Sequence, residues 1–297
     1  SKWLALAAEA VGMPQGAVSV LCGYGHGAGA ALTAHRDVNQ IVFTGSVQTG
    51  ITIATAAAKN VVPCILELGG KSAAIVHNDA DLDAFESDVR WGIFFNAGQV
   101  CSAMSRVIAH ESIHDELVGR IEKIAKSLDV GPGIDRPEFG ENMGAMVSEA
   151  QRDRAAQMVT DAVAQGANVV TGGRKLNIPG AFLEPTVLTN VTPDMTIANE
   201  EVFGPVLSVL KFKSDAQSIE IANGTPYGLV AGVFTRDINR ATHAARRLRA
   251  GQVFVNEWYA GGVETPFGGY GLSGYGREKG REALWNYVQT KNIAIKL

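Results

Sequence analysis

Two strand, glycine-turn, helix units follow one another near the start of the chain, and they restrict its fold more than any other feature. Ala17-Val18-Ser19-Val20-Leu21 is a short apolar run that reads as a buried strand. Gly23, Gly25, Gly27 and Gly29 come next and lead into an alanine-rich helix through His35. Residues 40–44 read as a second strand, which runs into Gly45-Ser46-Val47-Gln48-Thr49-Gly50 and a helix through Lys59. Strands joined by helical crossovers lie side by side and point the same way, so the expected class is α/β with a parallel, Rossmann-like sheet. Ligands of such sheets bind beyond the carboxyl ends of the strands. Gly23, Gly25 and Ala28 fit a G-x-G-x-x-A dinucleotide turn, and a glycine-rich loop without a ligand fits the same residues. The acid that this fingerprint carries about 20 residues further on is missing, since Gln40-Ile41-Val42-Phe43-Thr44 holds none. The second turn offers a helix N-terminus with free N–H groups and the Ser46 hydroxyl, a setting for phosphate.

Residues 61–68 are nearly continuous in apolar side chains, as a strand covered on both faces should be, and Glu67 interrupts them. That carboxylate either sits on an exposed strand end or is desolvated, with its pKa raised toward the range of a general base. Gly69 and Gly70 permit a sharp turn, residues 72–76 read as a further strand, and residues 81–95 as a helix with Leu82, Phe85, Val89 and Ile93 on one face. The helix delivers Asn96-Ala97-Gly98-Gln99-Val100-Cys101, with Cys101 where a new helix is expected to start. A helix N-terminus lowers a thiol pKa and favours the nucleophilic thiolate; a buried cysteine is otherwise a small hydrophobe.

The motifs Phe43-Thr44-Gly45-Ser46, Leu66-Glu67-Leu68-Gly69-Gly70-Lys71 and Phe95-Asn96-Ala97-Gly98-Gln99-Val100-Cys101 resemble those of the aldehyde dehydrogenase superfamily. The resemblance extends through Asn199-Glu200-Glu201-Val202-Phe203-Gly204-Pro205 and Thr265-Pro266-Phe267-Gly268-Gly269 to the last residue. It implies an NAD(P)-dependent oxidation of an aldehyde to a carboxylic acid, with Cys101 as nucleophile and Glu67 as the base that activates water. It also implies cofactor contacts at Gly25, Gly29, Gly45, Ser46, Leu68, Glu201 and Phe203. NAD is the expected cofactor, and NADP fits the same residues. Gln151 and Arg154 correspond to family positions near the adenosine ribose, with arginine in place of the commoner lysine. Phe95, Trp258, Tyr259 and Phe267 are expected to line an aromatic substrate pocket, which suits an amine-bearing aldehyde. A catalytically silent scaffold and a cofactor-independent thiol esterase are the alternative functions.

The resemblance divides the chain into an incomplete cofactor-binding part over 1–70, an α/β catalytic part over 71–270, a return to the cofactor part over 271–286 and an oligomerisation strand over 287–297. Asn292-Ile293-Ala294-Ile295-Lys296-Leu297 alternates like an edge strand that needs a partner, and the resemblance implies that the partner comes from the oligomerisation sheet of a homodimer or homotetramer. Residues 1–10 read as a helix already under way, so the chain is expected to lack upstream segments of the family. Among these are the first strands of the cofactor sheet and the asparagine that completes the oxyanion hole. The chain alone is therefore expected to be impaired.

Other classes are disfavoured. The net charge of -4, from 26 basic and 30 acidic residues without long runs, argues against nucleic acid. No apolar run approaches the ~18 residues of a membrane span, and the opening residues do not read as a secretory signal, so none is expected. Cys22, Cys64 and Cys101 are too few for a disulfide framework, so a reducing, cytoplasmic setting is expected. His110-Glu111-Ser112-Ile113-His114 matches the zincin pattern H-E-x-x-H, which needs both histidines on one helix face. Ser105 to Ala109 reads as a strand and Ser112 with Asp115 as the cap of the following helix, so no metal site is expected. A loop rich in glycine, proline and acids spans residues 131–144. Further elements are a helix over 148–165, strands near 169–170, 182–188, 206–212, 229–235 and 252–256, helices over 214–223 and 238–249, and a last helix over 277–287.

Overall fold

The structure is a computed structural model that describes residues 2–135 and 140–297. Helix α1 (Lys2–Ala10) is followed by a π-helical turn (Gly25–Gly29) and α2 (Ala30–Thr33). Strand β1 (Ile41–Thr44), α3 (Val47–Ala58), β2 (Cys64–Glu67), β3 (Ala73–Val76) and α4 (Leu82–Val89) come next. The chain continues through β4 (Arg106–His110), α5 (His114–Ser127), β5 (Asp129–Val130), β6 (Asn142–Met143) and α6 (Glu149–Ala164). It then forms β7 (Asn168–Thr171), β8 (Thr186–Thr189), α7 (Thr196–Asn199), β9 (Val206–Phe212) and α8 (Asp215–Asn223). The remaining elements are β10 (Val230–Phe234), α9 (Ile238–Arg247), β11 (Gln252–Val255) and β12 (Gly274–Tyr275).

Short polar side chains start the helices by taking up N–H groups that lack an intrahelical acceptor. Ser46 accepts from Thr49 N at the start of α3, Asp81 from Ala84 N at α4, Ser148 from Gln151 N at α6 and Ser214 from Gln217 N at α8. The α5 helix departs from the expected cap. Ser112 Oγ instead pairs with His110 Nδ1 at 2.8 Å, and Ile113 precedes the first turn without a side-chain cap. His110 ends strand β4 while His114 opens α5, so the two histidines do not share a helix face.

Two sheets result. The larger has the order β11-β10-β3-β4-β9-β8-β7 and is parallel except for the β7–β8 pair. Its central strands are buried on both faces: all five residues of β10 and all four of β3 are buried, which is why they read as unbroken apolar runs. Phe85 and Val89 of α4 and Leu117 and Ile121 of α5 are buried in the same core. The smaller sheet has the order β1-β2-β12, with β1 parallel to β2 and β12 antiparallel to it. Gly69-Gly70-Lys71-Ser72 carries the chain from β2 in the smaller sheet to β3 in the larger one.

Three expected elements take another form. Residues 17–21 have no strand pairing, and Leu21 is 73% exposed: an apolar run becomes a strand only where a ladder partner receives it. The helix expected over 277–287 shrinks to a 3-10 helix over Glu282–Tyr287. Lys279 and Gly280 take left-handed φ values of 56° and 58°, and Glu278 exchanges two backbone hydrogen bonds of 2.7 Å with Phe267, which holds this stretch extended. The tail over 292–297 pairs with no strand among the described residues and leaves Ile293 and Ile295 exposed. The expected loop over 131–144 lies partly outside the described residues.

The seam between β12 and β2 depends on Gly274, whose φ of 103° favours glycine and whose Cβ, if present, would strike the Leu66 carbonyl. Gly274→Ala is therefore expected to cost about 1–3 kcal/mol, read as a lowered thermal midpoint. An unchanged midpoint would remove this seam from the account of the fold.

Candidate active site

Cys101 owes its position to a left-handed turn. After α4 a π-helical turn (Arg90–Phe94) ends, and Asn96, Ala97 and Gly98 then take φ values of 51°, 53° and 69°. Such values are costly for a residue like alanine, so neighbouring bonds must hold them. Asn96 Nδ2 donates to the Gln99 carbonyl at 3.0 Å, and Gln99 Nε2 donates to the Asn96 carbonyl at 3.0 Å. Gln99 Oε1 accepts from Val147 N at 2.7 Å, tying the turn to the chain just ahead of α6. A Cβ on Gly98 would strike the Gly204 carbonyl, so this turn also packs against the segment after Glu201.

The sulfur is not at a helix N-terminus. Cys101 lies in a turn closed by the Ala103 N–H to the Val100 carbonyl at 3.0 Å, and no helix starts there. Its pKa is raised rather than lowered. Burial is the main cause, followed by the charges of Glu201 and Glu67, while the backbone N–H groups of Ser102 and Cys101 facing the sulfur pull the other way. Those two donors are what the site offers to negative charge at this position.

Glu67 ends β2 with 1% of its surface exposed, and neither carboxylate oxygen has a hydrogen-bond partner among the described residues. Of the two readings open in the sequence, the desolvated one is found. Burial pushes its pKa up to about 8, Glu278 adds to the shift and Arg277 opposes it. A carboxylate in this setting exchanges protons near neutral pH, as a general base must.

Glu201 faces the Gly69-Gly70 turn. Its Oε1 accepts from Gly70 N at 3.1 Å, and a Cβ on Gly69 would overlap its carboxylate. Burial raises its pKa, against the pull of the Gly70 N–H and Lys71. Lys71 is 2% exposed, its Nζ has no hydrogen-bond partner among the described residues, and burial lowers its pKa to about 7. Arg106, also buried, spends its guanidinium on the carbonyls of Lys71, Ile221 and Ala222.

A cavity of about 1090 Å³ joins these parts. Cys101, Glu201 and Phe203 line it together with Leu68, Gly45 and Ser46 from the opposite sheet. The α3 N-terminus thus opens on the same space as the thiol. Glu67 is not on its wall; the carboxylate lies toward Gly268 and Arg277, close to where a Cβ on Gly268 would sit. Gly25 and Gly29 are exposed and do not line the cavity. The four aromatic residues are not on the wall of this cavity. Phe95 is 45% exposed and lines a separate cavity of about 140 Å³ with Trp91. Trp258 is 4% exposed in the core, where its indole N–H donates to the Ser102 carbonyl at 3.2 Å. Tyr259 stands edge-on to Trp258, and Phe267 lies under Lys279 at 5.3 Å. Sequence reasoning missed Tyr227, which lines the main cavity, and the part Gln99 plays in the Cys101 turn. Tyr227 carries no sequence signal, whereas the reciprocal spacing of Asn96 and Gln99 is a local one.

The chain matches the aldehyde dehydrogenase family over residues 2–293. An aldehyde dehydrogenase of Emericella nidulans is 44% identical over 287 residues, covering 96% of this chain and 57% of that protein. The rat (Rattus norvegicus) protein named aldehyde dehydrogenase, cytosolic 1 is 42% identical over 296 residues, or 99% of this chain and 58% of that protein. Among solved structures, an NAD-dependent aldehyde dehydrogenase from Sinorhizobium meliloti is similar with a TM-score of 0.93 at 40% identity, covering 97% of this chain and 57% of that one. A betaine aldehyde dehydrogenase from Staphylococcus aureus, solved in complex with NAD+, gives a TM-score of 0.90 at 37% identity over 94% of this chain and 56% of that one. The chain thus spans less than two thirds of the length of these relatives.

Proposed function

Because the chain belongs to the aldehyde dehydrogenase family, we propose that it is part of an enzyme that oxidises an aldehyde to a carboxylic acid with NAD as cofactor. The observation that carries this reading is the shared cavity, which sets Cys101 opposite the Ser46-capped α3 and beside Glu201 and Phe203. The residues fit a dinucleotide: the α3 N-terminus suits phosphate, the Glu201 carboxylate suits ribose hydroxyls, and Leu68 and Phe203 give apolar walls. Bound NAD would supply the acceptor for the hydride that leaves the aldehyde carbon. Two relatives carry NAD in their descriptions, which favours it over NADP.

The chain's own residues account for the remaining steps. The Cys101 thiolate attacks the carbonyl carbon, forming the C–S bond and moving the carbonyl electron pair onto oxygen. The Cys101 N–H donates to that oxyanion, with the Ser102 N–H beside it. Once the aldehyde carbon has been oxidised, the acyl group is held on sulfur as a thioester. Glu67 takes a proton from water as the water oxygen attacks the acyl carbon, the C–S bond breaks and Cys101 leaves as thiolate. We read residues 1–70 and 271–286 as the cofactor side and 71–270 as the catalytic side. The exposed apolar tail is read as a strand for a homo-oligomer, and the unpaired cysteines fit a cytoplasmic enzyme.

The full-length protein, given a panel of aldehydes and NAD, is expected to form NADH, and the chain of residues 1–297 alone to do so about 10²- to 10³-fold more slowly for want of one oxyanion donor. Ester hydrolysis without NADH formation from any aldehyde would replace this reading with a thiol esterase, and absence of both activities with a scaffold.

A further inference from the structure

We propose that a second cavity, at the carboxyl ends of β3, β9 and β10, binds a primary alkylammonium ion. The strand order of the larger sheet reverses between β3 and β10, which pair in parallel. From β3 the chain passes to β4 on one side, and from β10 to β11 on the other. Ligands of open α/β sheets bind outside the carboxyl ends of the strands at such a reversal. The active site uses the other end of this sheet, since Gly70 and Lys71 lead into β3. A cavity of about 260 Å³ lies at the reversal, where α8 packs on α9. His77, the residue after β3, lines it with Asp215 and Ile219 of α8 and with Asp237, Arg240 and Ala244 at α9.

The polar atoms there call for a donor. His77 is 1% exposed, and its Nε2 has no hydrogen-bond partner among the described residues. A buried polar atom without a partner marks a place that a ligand or water fills. Burial holds the His77 pKa down at about 4, so the ring is neutral at neutral pH. Its Nδ1 lies 3.6 Å from Asp215 Oδ1, which favours the ring proton on that side and leaves Nε2 as an acceptor. Asp237 caps α9 through Oδ1, which accepts from Asn239 N and Arg240 N, and its Oδ2 has no partner among the described residues. Arg240 spends its charge within the protein: Nε donates to Asp215 Oδ2 at 3.0 Å and Nη1 to Asp79 Oδ1 at 3.2 Å. The carboxylates of Asp79, Asp215 and Asp237 thus outnumber the one guanidinium. An anion would meet that excess, and an alcohol brings a single donor without charge. An ammonium brings three N–H groups and a positive charge, and Ile219 and Ala244 give its alkyl chain an apolar wall. Among the described residues no group of three His, Cys, Asp or Glu side chains could hold a metal ion, so the fitting cation is organic. The site stands independently of the dehydrogenase reading.

The test is calorimetric titration of the full-length protein with n-butylammonium chloride at pH 8. One site per chain is expected, with Kd about 1 mM, the scale for a ligand of so few atoms. Tetramethylammonium, which has no N–H, and 1-butanol, which has no charge, are expected to bind at least about tenfold more weakly. Asp237→Asn removes the charge and keeps a capping side chain, and His77→Leu removes the acceptor at similar size. Each is expected to weaken n-butylammonium binding about tenfold or more, while kcat with NAD and an aldehyde, measured without the amine, stays unchanged. Should His77→Leu fail to fold, Asp237→Asn decides alone. The proposal is overturned by absence of saturable binding, by equal binding of 1-butanol or tetramethylammonium, or by unchanged affinity in a folded variant. Competition between n-butylammonium and NAD would also overturn it, by placing the amine in the main cavity.

Discussion

Cys101→Ser in the full-length protein is expected to lower NADH formation from aldehydes by about 10³-fold or more. The thiol already forms its anion against burial and against the charges of Glu201 and Glu67, which raise its pKa. An alcohol, with a far higher intrinsic pKa, has no means of ionising in that place. The two N–H groups facing the sulfur cannot make up the difference, because they favour either anion alike. The exchange is close to isosteric, so the thermal midpoint should move little and the loss is read as chemistry. Alkylation with iodoacetamide gives an independent measure. In the wild type, the Cys101 peptide should label faster as pH rises through and beyond the ordinary thiol range, since the thiolate is the reacting form and its pKa is raised. Cys22 is exposed and should label in both proteins, which makes it the internal control. Retained NADH formation in the serine variant would move the nucleophile elsewhere.

The strands that became most legible in the sequence are those whose burial is greatest. Residues 206–212 read as a strand with correct ends because six of the seven side chains are buried, so local apolarity and tertiary environment agree. Residues 17–21 have the same apolar character without a partner, and composition alone does not distinguish the two. The candidate site was legible in a different way. Cys101, Glu67 and Glu201 lie far apart in the chain, and each has a bland reading of its own; the Gly69-Gly70 turn and the left-handed turn bring Cys101 and Glu201 to one cavity, while Glu67 at the end of β2 stays off its wall and acts on the thiol through its charge. The left-handed turn itself was not legible. Ala97 has no intrinsic preference for φ of 53°, and what holds it includes the Val147 N–H, almost fifty residues away in sequence. The reading of Cys101 as a helix start failed for that reason, and with it the expected direction of the pKa shift. Trp258 shows a second limit: an aromatic residue next to a glycine-rich stretch suggests a pocket, and its indole is buried in the core with its N–H on the Ser102 carbonyl.

Glu67→Gln should separate the two halves of the reaction. The full-length variant is expected to release one equivalent of NADH per site in a burst and then turn over about 10²- to 10⁴-fold more slowly, because the thioester forms without the base but its hydrolysis needs one. The pH dependence carries the sign of the shift. In the wild type the base form appears as pH rises toward and past about 8, so thioester release should climb over that range and level off above it; the glutamine variant should lack this rise. Stability should move the opposite way. The folded pKa of about 8 lies above the ordinary 4.5, so the folded state holds its proton where the unfolded chain has lost it. The stability contributed by the neutral carboxyl is full below about 4.5 and is lost as pH rises through 8. Glutamine cannot ionise, and the carboxylate it replaces has no hydrogen-bond partner among the described residues, so at pH 9 the variant should melt higher than the wild type. The same burial that suits Glu67 to the proposed base role makes its carboxylate a liability to the fold at alkaline pH. Equal turnover in the two proteins would take the base role from Glu67, and a wild type that gains stability above pH 8 would show that the carboxylate is solvated or paired in solution.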